Sequence, residues 1–201
     1  MTNAPIAAST IAAQAFRFME LGPISSFQDD SEQAQGALEQ FPIALAMCLE
    51  RADWSFASRY VSLPPSELQL AQVGDPALPY IFTIPGDCVQ VREVQPFRAQ
   101  WRIDGTTLRC SVQGPLILRY TAAIVNEARL PATFQTAVSY QLALLLAPRW
   151  MSVRTKIVDL AQAQERALER ALEVDARSAS SNRYDGRDTL VSDDWVSGAI
   201  A

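Results

Sequence analysis

Histidine is absent from this chain, Lys156 is its only lysine, and Cys48, Cys88 and Cys110 are its only thiols. Without histidine, a serine or cysteine nucleophile lacks its usual base. The commonest neutral-pH proton carrier and metal ligand is missing too. The cysteines form no CxxC pair, so their spacing builds no zinc cage; they are expected to be small, buried and reduced. Adjacent carboxylates occur at Asp29-Asp30 and Asp193-Asp194. The first pair suits a helix start and the second lies in a polar tail, so neither has apolar walls to tune a carboxyl pKa. A magnesium site would have to gather carboxylates in space. Lys156, between Thr155 and Ile157, reads as a solvent-facing residue of a charged helix. No GxGxxG or GKS/GKT stretch cradles a phosphate. The expectation is a chain with no catalytic residue, no metal and no cofactor.

Composition points the same way. The 201 residues are 49% apolar, enough for one domain, or one domain carrying an inserted module. No run reaches the roughly 18 apolar residues of a membrane helix, and the start MTNAP has no basic-then-apolar signal pattern, so no membrane partner is expected. Net charge is -5, and it is unevenly spread. Residues 1–50 carry Arg17 against Glu20, Asp29, Asp30, Glu32, Glu39 and Glu50. All other basic residues except Lys156 are arginines, which suit ordered contacts or reflect codon bias. No patch is basic enough for tight duplex binding.

Hydrophobic spacing divides the chain into helices, a strand-rich middle and helices again. Residues 10–21 read as a helix with Ile11, Ala15, Phe18 and Met19 on one face, ended by Gly22-Pro23. Asp29 with Glu32 is one candidate cap for the next helix and Ser31 a competing one. Its stripe is Ala34, Leu38, Phe41, Leu45, Cys48, Ala52 and Phe56. Pro42 inside it predicts a kink, or a break between two stacked helices. From Leu63-Pro64-Pro65 the period falls to two. Candidate strands are Leu68–Val73, Tyr80–Ile84, Val89–Val94, Ala99–Ile103, Leu108–Val112 and Leu116–Tyr120, with a hairpin across Asp104-Gly105 the plainest signal. No connection among them is long enough for a crossover helix, so the module is antiparallel. Pro131 opens a helix through Phe134, Val138, Leu142 and Leu145, which Pro148 stops or kinks. The next helix, about 152–177, carries Val153, Ile157, Leu160, Ala161, Leu168, Ala171 and Leu172 as its stripe. The aromatic residues Trp54, Phe56, Tyr60, Tyr80, Phe82, Phe97, Trp101, Tyr120 and Phe134 gather at the two helix–sheet boundaries, where core packing explains them more simply than a nucleic-acid platform.

The fold class expected is α+β: mainly a helical bundle of about four helices, with a long C-terminal helix and an inserted small antiparallel β-module. Residues 1–62 supply the N-terminal helices of the body, 63–121 the β-module, 122–177 the C-terminal helices and 178–201 an extended tail. The tail is polar until Leu190, Val191, Trp195, Val196 and Ile200. That pattern fits a segment ordered by a partner, or equally one packed on its own body.

A set of motifs in order carries a resemblance. A helix bearing Ala15 and Phe18 leads through Gly22-Pro23-Ile24-Ser25-Ser26 to a helix ending in Trp54-Ser55-Phe56-Ala57. Then come Tyr80-Ile81-Phe82, Pro85-Gly86-Asp87-Cys88-Val89, Leu118-Arg119-Tyr120, Leu130-Pro131-Ala132-Thr133-Phe134 with Ala137 and Leu142-Ala143, and Leu146-Ala147-Pro148. Over about residues 10–175 this resembles the head-to-tail adaptors of tailed bacteriophages, the tail tubular protein A, gatekeeper or head completion group. After Cys88 the chain departs from the common pattern, with Val89-Gln90-Val91-Arg92 where a leucine and an arginine often follow directly.

The resemblance implies a structural role in the virion neck, after synthesis in the host cytoplasm. Family members form a homo-oligomeric ring, usually of twelve copies, beneath the phage portal protein. The opposite face meets the tail, nozzle or stopper, and double-stranded DNA passes non-specifically through the lumen. Trp54, Phe56, Ala57, Pro85, Asp87, Cys88, Tyr120 and Phe134 are then framework residues. Tyr184, Leu190, Val191, Trp195, Val196 and Ile200 form a portal-docking tail by the same analogy. Acidic groups of the N-terminal half or the tail are expected on the channel or outer wall, where repulsion lets a duplex slide. The alternative reading is an enzyme or small-molecule-binding domain that uses the β-module as a pocket.

Overall fold

A computed structural model describes residues 6–24, 26–65, 75–124 and 130–178. Among these are four helices: α1 (Ile6–Phe18), α2 (Glu32–Glu50), α3 (Ala132–Trp150) and α4 (Arg154–Ser178). Between α2 and α3 lie a 3-10 turn (Ser55–Ala57) and six strands: β1 (Ser58–Leu63), β2 (Tyr80–Thr83), β3 (Cys88–Gln95), β4 (Trp101–Asp104), β5 (Thr107–Cys110) and β6 (Leu116–Ala122). The fold is α+β, with a small antiparallel β-module set into a helical body and a long last helix.

The local chemistry explains most element ends. α1 stops at Phe18, short of Gly22-Pro23, because Glu20 takes φ 61. The Leu21 N–H then reaches the Phe16 carbonyl at 2.9 Å and the Glu20 N–H reaches Arg17 at 3.0 Å. This is a Schellman closure built without its usual glycine. Ser31 caps α2, accepting from the Ala34 N–H at 3.1 Å, while Asp29 turns back to the Ser26 N–H at 3.0 Å. Neither proline divides its helix. Pro42 lies inside α2 on the exposed side, and Pro148 lies inside α3. On those outer faces, water can serve a carbonyl that proline leaves without a donor.

Two cores result. The helical core packs α1, α2 and α3 with Trp54 and Phe134 at its module end, and Leu160, Leu168 and Ala171 attach α4. The stripes are narrower than the sequence suggested. Leu38 of α2 is 56% exposed and Val153 and Leu172 are also exposed; Ala161 faces solvent. Gln164 takes the fourth buried position on α4.

The module core lies among two antiparallel three-stranded sheets, ordered β1-β6-β3 and β2-β5-β4, around Phe82, Leu108, Leu116 and Leu118. The expected hairpin forms between β4 and β5, with Asp104 paired to Thr107 and Gly105 at φ 63 in the first turn position. Strand β1 is new. The sequence reading placed residues 58–62 with the helices, because Ser58-Arg59-Tyr60-Val61-Ser62 is polar and only Leu63 at its end is buried. Candidate strand Leu68–Val73 lies outside the described residues.

Candidate functional site

The framework residues converge on the joint between body and module. At the body side, Trp54 and Phe134 meet edge to face with centroids 4.8 Å apart, and Phe56 meets Phe134 at 5.0 Å. The indole N–H of Trp54 donates to the Cys48 carbonyl at 2.9 Å, so the ring closes α2 while its body fills the core. Such a pair adds about 0.5–1.5 kcal/mol beyond the area it buries. Ala57 is buried beside them. The end of α4 braces this turn: Asp175 accepts from the Ser55 N–H at 3.0 Å and from its hydroxyl at 2.5 Å.

At the module side, Pro85 and Cys88 close a turn, with the Cys88 N–H on the Pro85 carbonyl at 3.0 Å. Asp87, inside that turn, accepts from the Tyr120 hydroxyl at 3.1 Å and from Arg59 at 2.6 Å. Its own carbonyl takes the Ala123 N–H at 2.7 Å. One aspartate thereby ties the start of β3 to β1 and β6. Burial, and then the bond to Asp87 and its negative charge, push the Tyr120 phenol above its ordinary pKa. Burial and the Asp87 charge likewise raise the Cys88 thiol, against a smaller opposing pull from Arg92.

Asp53 and Thr121 at the joint were not named from sequence, and Arg92 and Arg119 stood there only within quoted stretches, with no contact assigned to them. The α2 helix has no basic residue in its last turn, so its terminal carbonyls need a donor from elsewhere. Arg92 of β3 supplies it, donating to Leu49 and Glu50 at 3.2 Å each and to Ala52. Its Nε–H is fixed by the Thr121 hydroxyl at 2.8 Å. Burial lowers the Arg92 pKa, partly opposed by Asp53. Arg119 pairs with Asp53 after α2 and lies 3.6 Å from Glu93 of β3. The sequence reading ran α2 on to Phe56 with Arg51 near its end, so no spacing signalled that an arginine of a strand would serve its last carbonyls.

Other sequence candidates separate from the joint. Tyr60, Phe97 and Trp101 are exposed, so core packing does not account for them, unlike buried Trp54, Phe82, Tyr120 and Phe134. Lys156 is exposed and pairs with Glu20 at 2.5 Å. Asp30 is exposed, and Asp193-Asp194 and the tail residues Tyr184, Leu190, Val191, Trp195, Val196 and Ile200 lie outside the described residues. Among the described residues no three His, Cys, Asp or Glu side chains gather as a metal set, and no helix is long and apolar enough to cross a membrane. A cleft of about 500 Å³ opens between β3 and the β4–β5 hairpin, with Cys88, Val89, Trp101 and Ile103 among its walls.

The chemistry available at the joint is hydrogen bonding and ion pairing that fixes one substructure on another. No protein-family model matches the chain, and no curated protein matches it.

Proposed function

We propose that this chain is a structural head-to-tail adaptor, one copy of a ring beneath a phage portal that joins it to the tail and lets DNA through. It works through surfaces that meet other subunits and not through catalysis. Support comes from one observation above the rest. The two most specific motifs of the resemblance, Trp54-Ser55-Phe56-Ala57 and Pro85-Gly86-Asp87-Cys88, lie on either side of the joint between helical body and β-module. There they hold geometry through Trp54–Phe134 packing and the Asp87–Tyr120–Arg59 bonds. A chain whose recurring residue types fix the mounting of a module is suited to presenting faces at set angles, which a closed heterologous ring requires. The tail beyond Ser178 is assigned to the portal on the same analogy.

Mixing the full chain with a phage portal protein from the same source tests this reading. Native mass spectrometry and imaging should give a symmetric ring on the portal, and deletion of residues 179–201 should abolish docking while the body stays folded. A chain that never associates with the portal contradicts it.

A second reading, a small-molecule-binding domain, is favoured by the cleft between β3 and the β4–β5 hairpin. Its volume falls in the usual ligand range of about 300–1,000 Å³, and among the described residues no charged side chain lines it. Saturable binding of an uncharged compound that Trp101→Ala removes would support that reading.

A further inference from the structure

A cavity of about 260 Å³ lies away from the joint, between the end of α1, the middle of α3 and the first three turns of α4. Its floor is apolar: Phe18, Tyr140 and Met151 are half-buried there and Leu160 is buried. The Phe18 and Tyr140 rings stack with centroids 3.8 Å apart and planes 6° from parallel. Each ring holds the other, so neither is free to swing in and fill the space. The volume exceeds that of a cavity of about 150 Å³ that admits benzene and falls short of the roughly 300 Å³ at which drug-sized sites begin. One ring with a short arm matches it.

The lip is charged, and its charged residues line the cavity themselves: Glu20, Lys156 and Asp159. Glu20 ends α1 at φ 61, a left-handed backbone that costs a residue other than glycine about 1–2 kcal/mol. From that position its carboxylate meets Nζ of Lys156, the only lysine of the chain, at 2.5 Å. Those two charges cancel. Asp159 follows Lys156 by three positions, so it stands on the same side of α4. It is exposed, and among the described residues it forms no ion pair. The lining therefore carries one surplus negative charge. Asp159 lies in the second turn of α4, past the first turn where a helix start favours anions.

We propose that this cavity binds a small organic monocation with an apolar body of about one ring. The body lies on the floor made by Phe18, Tyr140, Met151 and Leu160, and the ammonium meets Asp159 at the lip. Because the occupant touches α1, α3 and α4 at once, it adds to the Glu20–Lys156 bond as a second brace between the two outer helices. The inference goes beyond the adaptor reading and does not depend on it, since it is read by binding and not by assembly.

Three probes separate the contributions in the full-length chain: benzylamine (cationic), benzyl alcohol (uncharged) and benzoate (anionic). In an isotope-labelled sample, amide shifts should move at Phe18, Tyr140, Met151 and residues 156–163. Benzylamine should bind about two- to fivefold more tightly than benzyl alcohol, the range of one exposed ion pair, and benzoate most weakly. Asp159→Asn should erase the advantage of the amine and leave alcohol binding intact, whereas Glu169→Gln, ten positions further along α4, should change neither. Lys156→Gln removes a cation that competes for the carboxylates and should raise the affinity for benzylamine. Ala163→Phe, which fills the cavity from α4, should remove binding of all three. Equal affinities for the three probes, a preference for benzoate, a weaker amine in Lys156→Gln, or shifts confined to another part of the protein would overturn the proposal. Should Ala163→Phe fail to fold, the exposed Asp159→Asn change still decides it.

Discussion

Arg92 of β3 donates its Nε–H to the buried hydroxyl of Thr121 on β6 at 2.8 Å, and that bond aims its outer nitrogen at the C-terminal carbonyls of α2. The module thus carries the cap that the helix lacks. A guanidinium suits this because its donors diverge from a rigid plane.

Arg92→Ala should therefore cost more than an ordinary surface change. Hydrogen bonds to charged groups contribute about 1.5–3 kcal/mol, and partial exposure lets water replace some of them, so a loss of about 2–3 kcal/mol is expected. Arg92→Lys should recover less than half, since a single ammonium cannot serve Thr121 and the helix end together. Urea denaturation followed by circular dichroism measures both. A loss below about 0.5 kcal/mol, the range of unremarkable surface substitutions, would mean the cap is not made in solution.

The Tyr120–Asp87 bond predicts alkaline behaviour. The folded phenol has a raised pKa, so between the unfolded value near 10 and the folded value the unfolded chain releases a proton that the folded chain keeps. Stability from this group is complete below the unfolded pKa and is lost as pH rises through the folded one. Tyr120→Phe should flatten the fall in melting temperature on the alkaline side. At neutral pH it should cost about 1 kcal/mol for the lost bond. A variant whose alkaline profile overlays that of the parent would show that another group governs it.

Thiol chemistry gives an independent reading of burial. Cys48 is buried in the helical core and its pKa is pushed up to about 12 by that burial. Almost no thiolate is present at neutral pH, and the thiolate is the reactive form. Alkylation of the native protein, followed by peptide mass spectrometry, should modify half-buried Cys88 slowly and leave Cys48 untouched until the chain unfolds. Labelling of Cys48 at the denatured rate under native conditions would contradict the packing of α2 on α3.

Gly114 tests the core of the module. A Cβ there would stand 2.6 Å from the Phe82 ring and 2.8 Å from the Leu116 backbone nitrogen. Phe82 is fully buried and a backbone nitrogen cannot move aside. Gly114→Ala should destabilise by about 1–3 kcal/mol, as overpacking does. Gly86→Ala, with open space at its Cβ, is the control and should change thermal stability far less.

Pattern alone carried the helices, because apolar positions such as Ala34, Phe41, Leu45 and Cys48 repeat along one buried face. The β4–β5 hairpin was equally legible, since Asp104-Gly105 sits between runs of strand period. β1 was hidden because Ser58–Leu63 buries only its last residue and owes its conformation to pairing with β6. Pro42 does not break α2 and Pro148 does not end α3 at once for a related reason, since a proline on a solvent face removes a bond that water replaces. The joint was legible in its residues and not in its contacts. Trp54, Asp87, Tyr120 and Phe134 stood out by type and order, but nothing in the spacing pairs Asp87 with Arg59, or sends Arg92 to a helix more than forty positions away.

A symmetric reconstruction of the neck of tailed particles made in cells that express this chain tests the proposed function most directly. The predicted result is a closed ring of copies in contact with the portal, each with its β-module held on the helical body as at Arg92 and Asp87, around a lumen that admits a duplex. A neck without this chain, or a free monomer that binds and converts a small molecule, would contradict it.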